Sequence, residues 1–104
     1  MTTQAMAQAM LASAKMALRI TTNSFDTEIE QLLTAALMDL GTAGVIPPDG
    51  QTVDELIRRA CITYVRMYFG QPDDFDRMKA AYDEQKGQLQ IATGYTEWST
   101  TSNG

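Results

Sequence analysis

The chain predicts an all-α fold, a small bundle of about four helices followed by an extended C-terminal tail. Three observations carry that expectation. Apolar residues recur at steps of three and four in successive segments, which gathers them on one side of a helix with 3.6 residues per turn. Polar breaks bearing glycine or proline separate the segments. The final stretch, ATGYTEWSTTSNG, is a different kind of sequence with little to build a core from. A chain of 104 residues is one domain by length. We divide it into a helical domain over residues 1–91 and a flexible or docking tail over residues 92–104.

The first helix is expected over residues 4–18, rich in alanine and methionine, both good helix formers. Met6, Met10, Ala14, Ala17 and Leu18 share a face, while Gln4, Gln8 and Lys15 lie away from it. A methionine-rich face either fills gaps in a core or serves as an adaptable binding surface. No charged residue precedes Lys15, which is unusual for an exposed helix and points to cover by a neighbouring subunit. Met6 and Met10 are therefore candidate subunit-interface residues.

Thr21 to Ser24 form a break, and a cleanly amphipathic helix follows. Its stripe is Phe25, Ile29, Leu32, Leu33, Ala36, Leu37 and Leu40. Asn23 or Ser24 is expected to cap the free N–H groups at its start, where Asp26, Glu28 and Glu30 suit the positive end of the helix dipole. Gly41 and Gly44 offer left-handed positions for its end. Pro47-Pro48-Asp49-Gly50 is strong turn chemistry, in either an interaction loop or a structural crossover, and Val45 and Ile46 are expected to tuck it onto the core.

Thr52-Val53-Asp54-Glu55 matches a capping box for a third helix. Val53, Ile57, Ala60, Cys61, Tyr64 and Tyr68 fall on one line, widened by Leu56, Val65 and Met67, so this helix is the expected central element. Arg58, Arg59 and Arg66 mark its wet or partner-facing side and are further subunit-interface candidates, with phosphate contact or salt bridges to acidic neighbours as the other readings. Gly70 and Pro72 stop it, and Asp73 or Asp74 caps a last helix with Asp76 in its first turn. Phe75, Met78, Tyr82 and Leu89 space out that helix's apolar face, with Lys79 and Lys86 on the polar side. Gly87 weakens it, and regular structure is expected to fade by about Ile91. In the tail, Tyr95 and Trp98 are aromatic residues on a polar segment, suited either to docking on another chain or to folding back.

Composition narrows the function. With 13 acidic against 8 basic residues, the net charge of −5 argues against the broad basic footprint of a nucleic-acid binder. The chain has no histidine, which removes the commonest general base and metal ligand. Its single cysteine, Cys61, allows no internal disulfide and sits in an apolar stripe, where an inert thiol is expected. The Asp73-Asp74-Asp76 cluster lacks the alternating ligands, glycine and terminal glutamate of a calcium loop. No phosphate-cradling glycine loop or nucleophile–base pair can be assembled. We expect no enzyme activity, no cofactor and no metal. No apolar run approaches the ~20 residues of a membrane span, and Ala12-Ser13-Ala14 lacks the basic and apolar regions that would make it a secretion signal.

Two stretches carry a family resemblance. The first is Leu18-Arg19-Ile20, a polar spacer, then FDTEIEQLLTAAL and a glycine-bounded turn. The second is LIRRACITYVRMYFGQPDDF, a helix with a Tyr-Val pair ending in Phe-Gly before an acidic helix start. In order and spacing the chain resembles, over about residues 15–89, the head–tail connector proteins of long-tailed bacteriophages. That resemblance implies a structural virion protein that forms a ring, dodecameric in the virion, beneath the portal vertex. It would join the portal to a stopper or tail-completion protein and extend the DNA channel, with DNA passing through without sequence-specific binding. It implies assembly in the bacterial host cytoplasm and portal docking by residues 88–98, with Leu89, Ile91, Tyr95 and Trp98 as the candidates. The competing expectation is a small helical DNA-binding or protein-binding regulator using Arg58, Arg59 and Arg66.

Overall fold

The computed structural model describes residues 3–45, 55–69 and 73–91. They form four helices, α1 (Thr3–Leu18), α2 (Asp26–Thr42), α3 (Glu55–Tyr68) and α4 (Phe75–Ile91). The all-α, four-helix expectation holds. The capping box at Thr52, the proline-rich turn, Ile46, Val53, Gly70, Pro72 and the tail with Tyr95 and Trp98 lie outside the described residues.

α1 and α2 form an antiparallel hairpin, and α2 packs on α3, which packs on α4. α3 is the one helix that forms a packed seam with each of the other three, as expected of a central element. α1 and α4 lie on the two flanks and form no such seam with each other. The core runs through the middle. Ala7, Met10 and Ala14 from α1 meet Ile29, Leu33, Ala36 and Leu40 from α2 and Ile57, Ala60, Cys61 and Val65 from α3. Met78, Tyr82 and Leu89 close it from α4. Met6 is also buried, whereas Ala17, read onto the same face, is exposed, and it is Leu18 and Ile20 that pack against the core at this end.

Two helices end in the same way. At the end of α2, the Gly44 N–H donates to the Gly41 carbonyl at 3.0 Å and the Val45 N–H to the Leu40 carbonyl at 2.9 Å. Gly44 carries the left-handed backbone at φ +89°, and Val45 is buried behind it. Gly41, read as a possible terminator, instead lies inside the helix. At the end of α1, Arg19 donates to Met16 at 3.1 Å and Ile20 to Lys15 at 2.9 Å, which is the same bond pattern. There the left-handed residue is Arg19, at φ +60°.

The start of α2 corrects an expectation. Phe25 occupies the cap position, and no side chain caps the helix. The carboxamide of Asn23 instead accepts from Lys15 Nζ at 2.8 Å, and Thr22 Oγ1 accepts the Ser24 N–H at 3.2 Å, so both candidates are held by the turn itself. Lys15 also pairs with Asp26 at 2.8 Å, tying the end of α1 to the start of α2. Phe25, half-exposed, sets its ring edge-to-face on Phe69 at 5.5 Å. For α4, Asp74 stands at the position just before the helix. Its carbonyl accepts the Met78 N–H at 3.0 Å, and its carboxylate accepts from Arg77 at 2.6 Å.

Candidate assembly surfaces

The residues singled out in the sequence divide sharply by burial. Met6, Met10 and Leu89 are buried in this chain's own core, Met10 completely, so they have little or no surface to offer a partner. Of the portal-docking candidates on α4, only Ile91 is open, at 85% exposure. Arg59 and Arg66 are exposed on α3, while Arg58 is half-buried with its Nε unpaired inside the fold. The expected salt bridges of this trio do not form among the described residues. The four ion pairs found there join Lys15 to Asp26, Arg77 to Asp74, Lys79 to Asp83 and Lys86 to Asp39. Arg59 rims a groove between α3 and α4 lined by Leu56, Gln85, Gln88 and Leu89.

One polar cluster escapes a reading by periodicity. The Tyr82 hydroxyl on α4 donates to Asp39 Oδ2 on α2 at 2.5 Å, and Lys86 Nζ reaches the same oxygen at 3.2 Å. Lys86 also lies over the Tyr82 ring, 5.2 Å from its centroid. One turn further along, Gln90 Nε2 donates to the Ala43 carbonyl at 3.0 Å. These bonds clasp α4 to α2, whereas α4 packs on α3 through its apolar face. The Tyr82 hydrogen bond holds the Asp39 carboxyl below its usual range, assisted by Lys86. Burial, followed by that bond to Asp39, drives the Tyr82 phenol well above the ordinary tyrosine value. Lys86, read as a polar-face residue, is drawn in because Asp39 sits opposite it. From Tyr82 an aromatic ladder continues through Tyr64 and Tyr68 to Phe75, with centroids 5.4, 4.8 and 5.6 Å apart.

The chemistry that remains is modest. Burial pushes the Cys61 thiol up to about 12, as suits a packed rather than a reactive sulfur. Among the described residues no group of three or more Cys, Asp or Glu side chains is placed to hold a metal ion. No described helix is long and apolar enough to cross a membrane.

What distinguishes the surface is its two flanks. The outward side of α1 carries Gln8, Ala9, Ala12 and Met16, uncharged up to Lys15, beside a shallow groove that includes Leu11 and Ile20. The outward side of α4 carries Asp76, Ala80, Asp83, Glu84 and Ile91. The two flanks thus present unlike faces. A family model described as phage connector protein matches residues 10–96, most of the chain and nearly all of its helical part. The chain belongs to the phage connector protein family, and its role is that of a structural component of the phage virion. No curated protein and no solved structure matches it.

Proposed function

We propose that this chain forms a ring at the head–tail interface, joining the portal to the next head-completion or tail component and extending the DNA channel. Family membership over residues 10–96 is the observation that carries the reading. The architecture supports it. A closed ring is built from heterologous contacts, in which one patch meets a different patch of the next copy, and α1 and α4 present unlike faces on opposite flanks. The net charge of −5 is compatible with a channel along which DNA slides, since cationic linings retain phosphates. Portal contact falls to the tail, through Tyr95 and Trp98, because Leu89 is committed to the core.

The test mixes purified portal rings with the full chain and with a variant ending at residue 91. The full chain co-sediments with the portal, while the shortened one keeps its helical circular dichroism and stays in solution. Equal co-sedimentation would remove the tail from the interface, and loss of helicity would place Trp98 in the core.

The exposed Arg59 and Arg66, which form no ion pair among the described residues, favour a second reading, a helical regulator that binds DNA. Duplex affinity against salt separates the two. A regulator shows a logarithmic slope of about −0.9 per phosphate contacted, and a connector shows almost no duplex binding.

A further inference from the structure

We infer that the outward face of α1 on one copy receives the outward face of α4 from the next, antiparallel, with Met16 seated over Gly87, Ile91 over Ala12, and Arg19 paired with Glu84. This rests on the ring reading and names the two surfaces that would close the ring. It starts from the two most exposed large apolar side chains among the described residues, Ile91 at 85% and Met16 at 78%, which stand on opposite flanks. Each needs a hole on the other flank, and each flank has one. A Cβ at Gly87 would meet nothing within 4 Å, so the α4 surface is open at that point. Ala12 is a small, exposed residue on the rim of the α1 groove, with Leu11 and Ile20 forming its apolar floor.

The spacings agree. Ala12 precedes Met16 by four residues on α1, and Ile91 follows Gly87 by four on α4, a matching rise of about 6 Å in the two helices. In the opposite direction, Arg19 lies just past the end of α1, three residues beyond Met16, and Glu84 precedes Gly87 by three on α4. Antiparallel helices therefore bring the two apolar pairs together in a single register, with Arg19 and Glu84 at the same end of the contact. The charges agree as well. Neither Arg19 nor Glu84 has an ion-pair partner among the described residues, and Lys15, the other cation beside the α1 groove, is already held by Asp26 and Asn23. Arg19 also occupies a left-handed position at φ +60° that glycine would fill without strain.

The test is cysteine cross-linking in the full chain assembled on portal rings. Met16→Cys with Gly87→Cys, oxidised by copper phenanthroline, gives a ladder of covalent multimers on a non-reducing gel, whereas Met38→Cys with Gly87→Cys does not. The native Cys61 is fully buried and does not interfere. Glu84→Arg reduces the ladder by roughly fivefold, and adding Arg19→Glu restores it, as expected for a charge pair at an interface rim. A ring that forms without the Met16–Gly87 ladder, or that links the Met38 control equally, overturns this contact and leaves the ring reading intact. No ring with or without portal overturns both.

Discussion

The seam that joins α1, α2 and α3 and the side-chain bonds that tie α2 to α4 are made of opposite materials. The first is dry: Met10, Ile29, Leu33, Ile57 and Val65 are fully buried, with no polar side chain among them. The second is a polar clasp, in which Asp39 accepts from Tyr82 and Lys86 and Ala43 accepts from Gln90. A dry seam depends on area and fit and, with the Cys61 thiol as its titrating group, responds to pH only on the alkaline side. A polar clasp adds little net free energy but fixes where one helix lies against another, and it responds to protonation. The chain thus has a rigid middle and one flank, α4, whose attachment to α2 is chemically addressable.

The sharpest way to break this contrast is to damage each seam in turn. Leu33→Ala opens a cavity in the dry seam and lowers unfolding free energy by about 3 kcal/mol, read from urea denaturation. Tyr82→Phe keeps the ring in the core and removes only the donor to Asp39. Because Asp39 is itself half-exposed, that variant loses only about 1 kcal/mol. An equal loss at the two sites would erase the distinction between the seams.

Next in size are the pH effects, to which the clasp contributes on both sides of neutrality, beside Asp74 on the acid side and Cys61 and Tyr64 on the alkaline side. Asp39 has a folded pKa below its unfolded value, so its contribution is present above the usual carboxylate range and is lost as pH falls through the folded value. Tyr82 has a folded pKa above its unfolded value of about 10, so its contribution is intact below pH 10 and is lost as pH rises beyond that. Asp39→Asn makes the acid limb of melting temperature against pH shallower, below about pH 4, and Tyr82→Phe makes the alkaline limb shallower, leaving the part due to Cys61 and Tyr64. Leu33→Ala shifts the whole curve down without changing either limb.

A smaller pair of variants compares the two helix ends. Gly44→Ala forces a side chain into φ +89° and costs about 1 kcal/mol. Arg19→Gly relieves φ +60° and leaves the monomer unchanged or up to about 1 kcal/mol more stable, while weakening assembly. Thermal melts of the two variants in opposite directions would confirm that the ends share one geometry. Smallest of all, ending the chain at residue 91 changes monomer stability by less than about 0.5 kcal/mol.

What could be read from the sequence follows the same division. The dry seam was legible because burial imposes a period: Ile29, Leu33, Ala36 and Leu40 announce their helix and its inner face together. The polar clasp was not, because Asp39 and Lys86 each look like ordinary solvated residues until the two helices are set side by side. Tyr82 was placed correctly on the apolar face, yet nothing in the sequence says where its hydroxyl points. The end of α2 was readable from Gly44, whereas the equivalent turn at Leu18-Arg19-Ile20 carries no glycine and was visible only as part of a family pattern. The interface candidates fared worst for a related reason. A buried methionine and an exposed one have the same signature, and only the fold separates Met10 from Met16. Family membership follows from most of the chain at once and is correspondingly robust.

The most direct test of the connector assignment is native mass spectrometry of the full-length protein, alone and with portal rings, across a range of concentrations. We expect closed rings, dodecameric or one subunit larger, either free or formed on the portal. A discrete dimer that ignores the portal and shifts a duplex DNA probe would contradict that assignment.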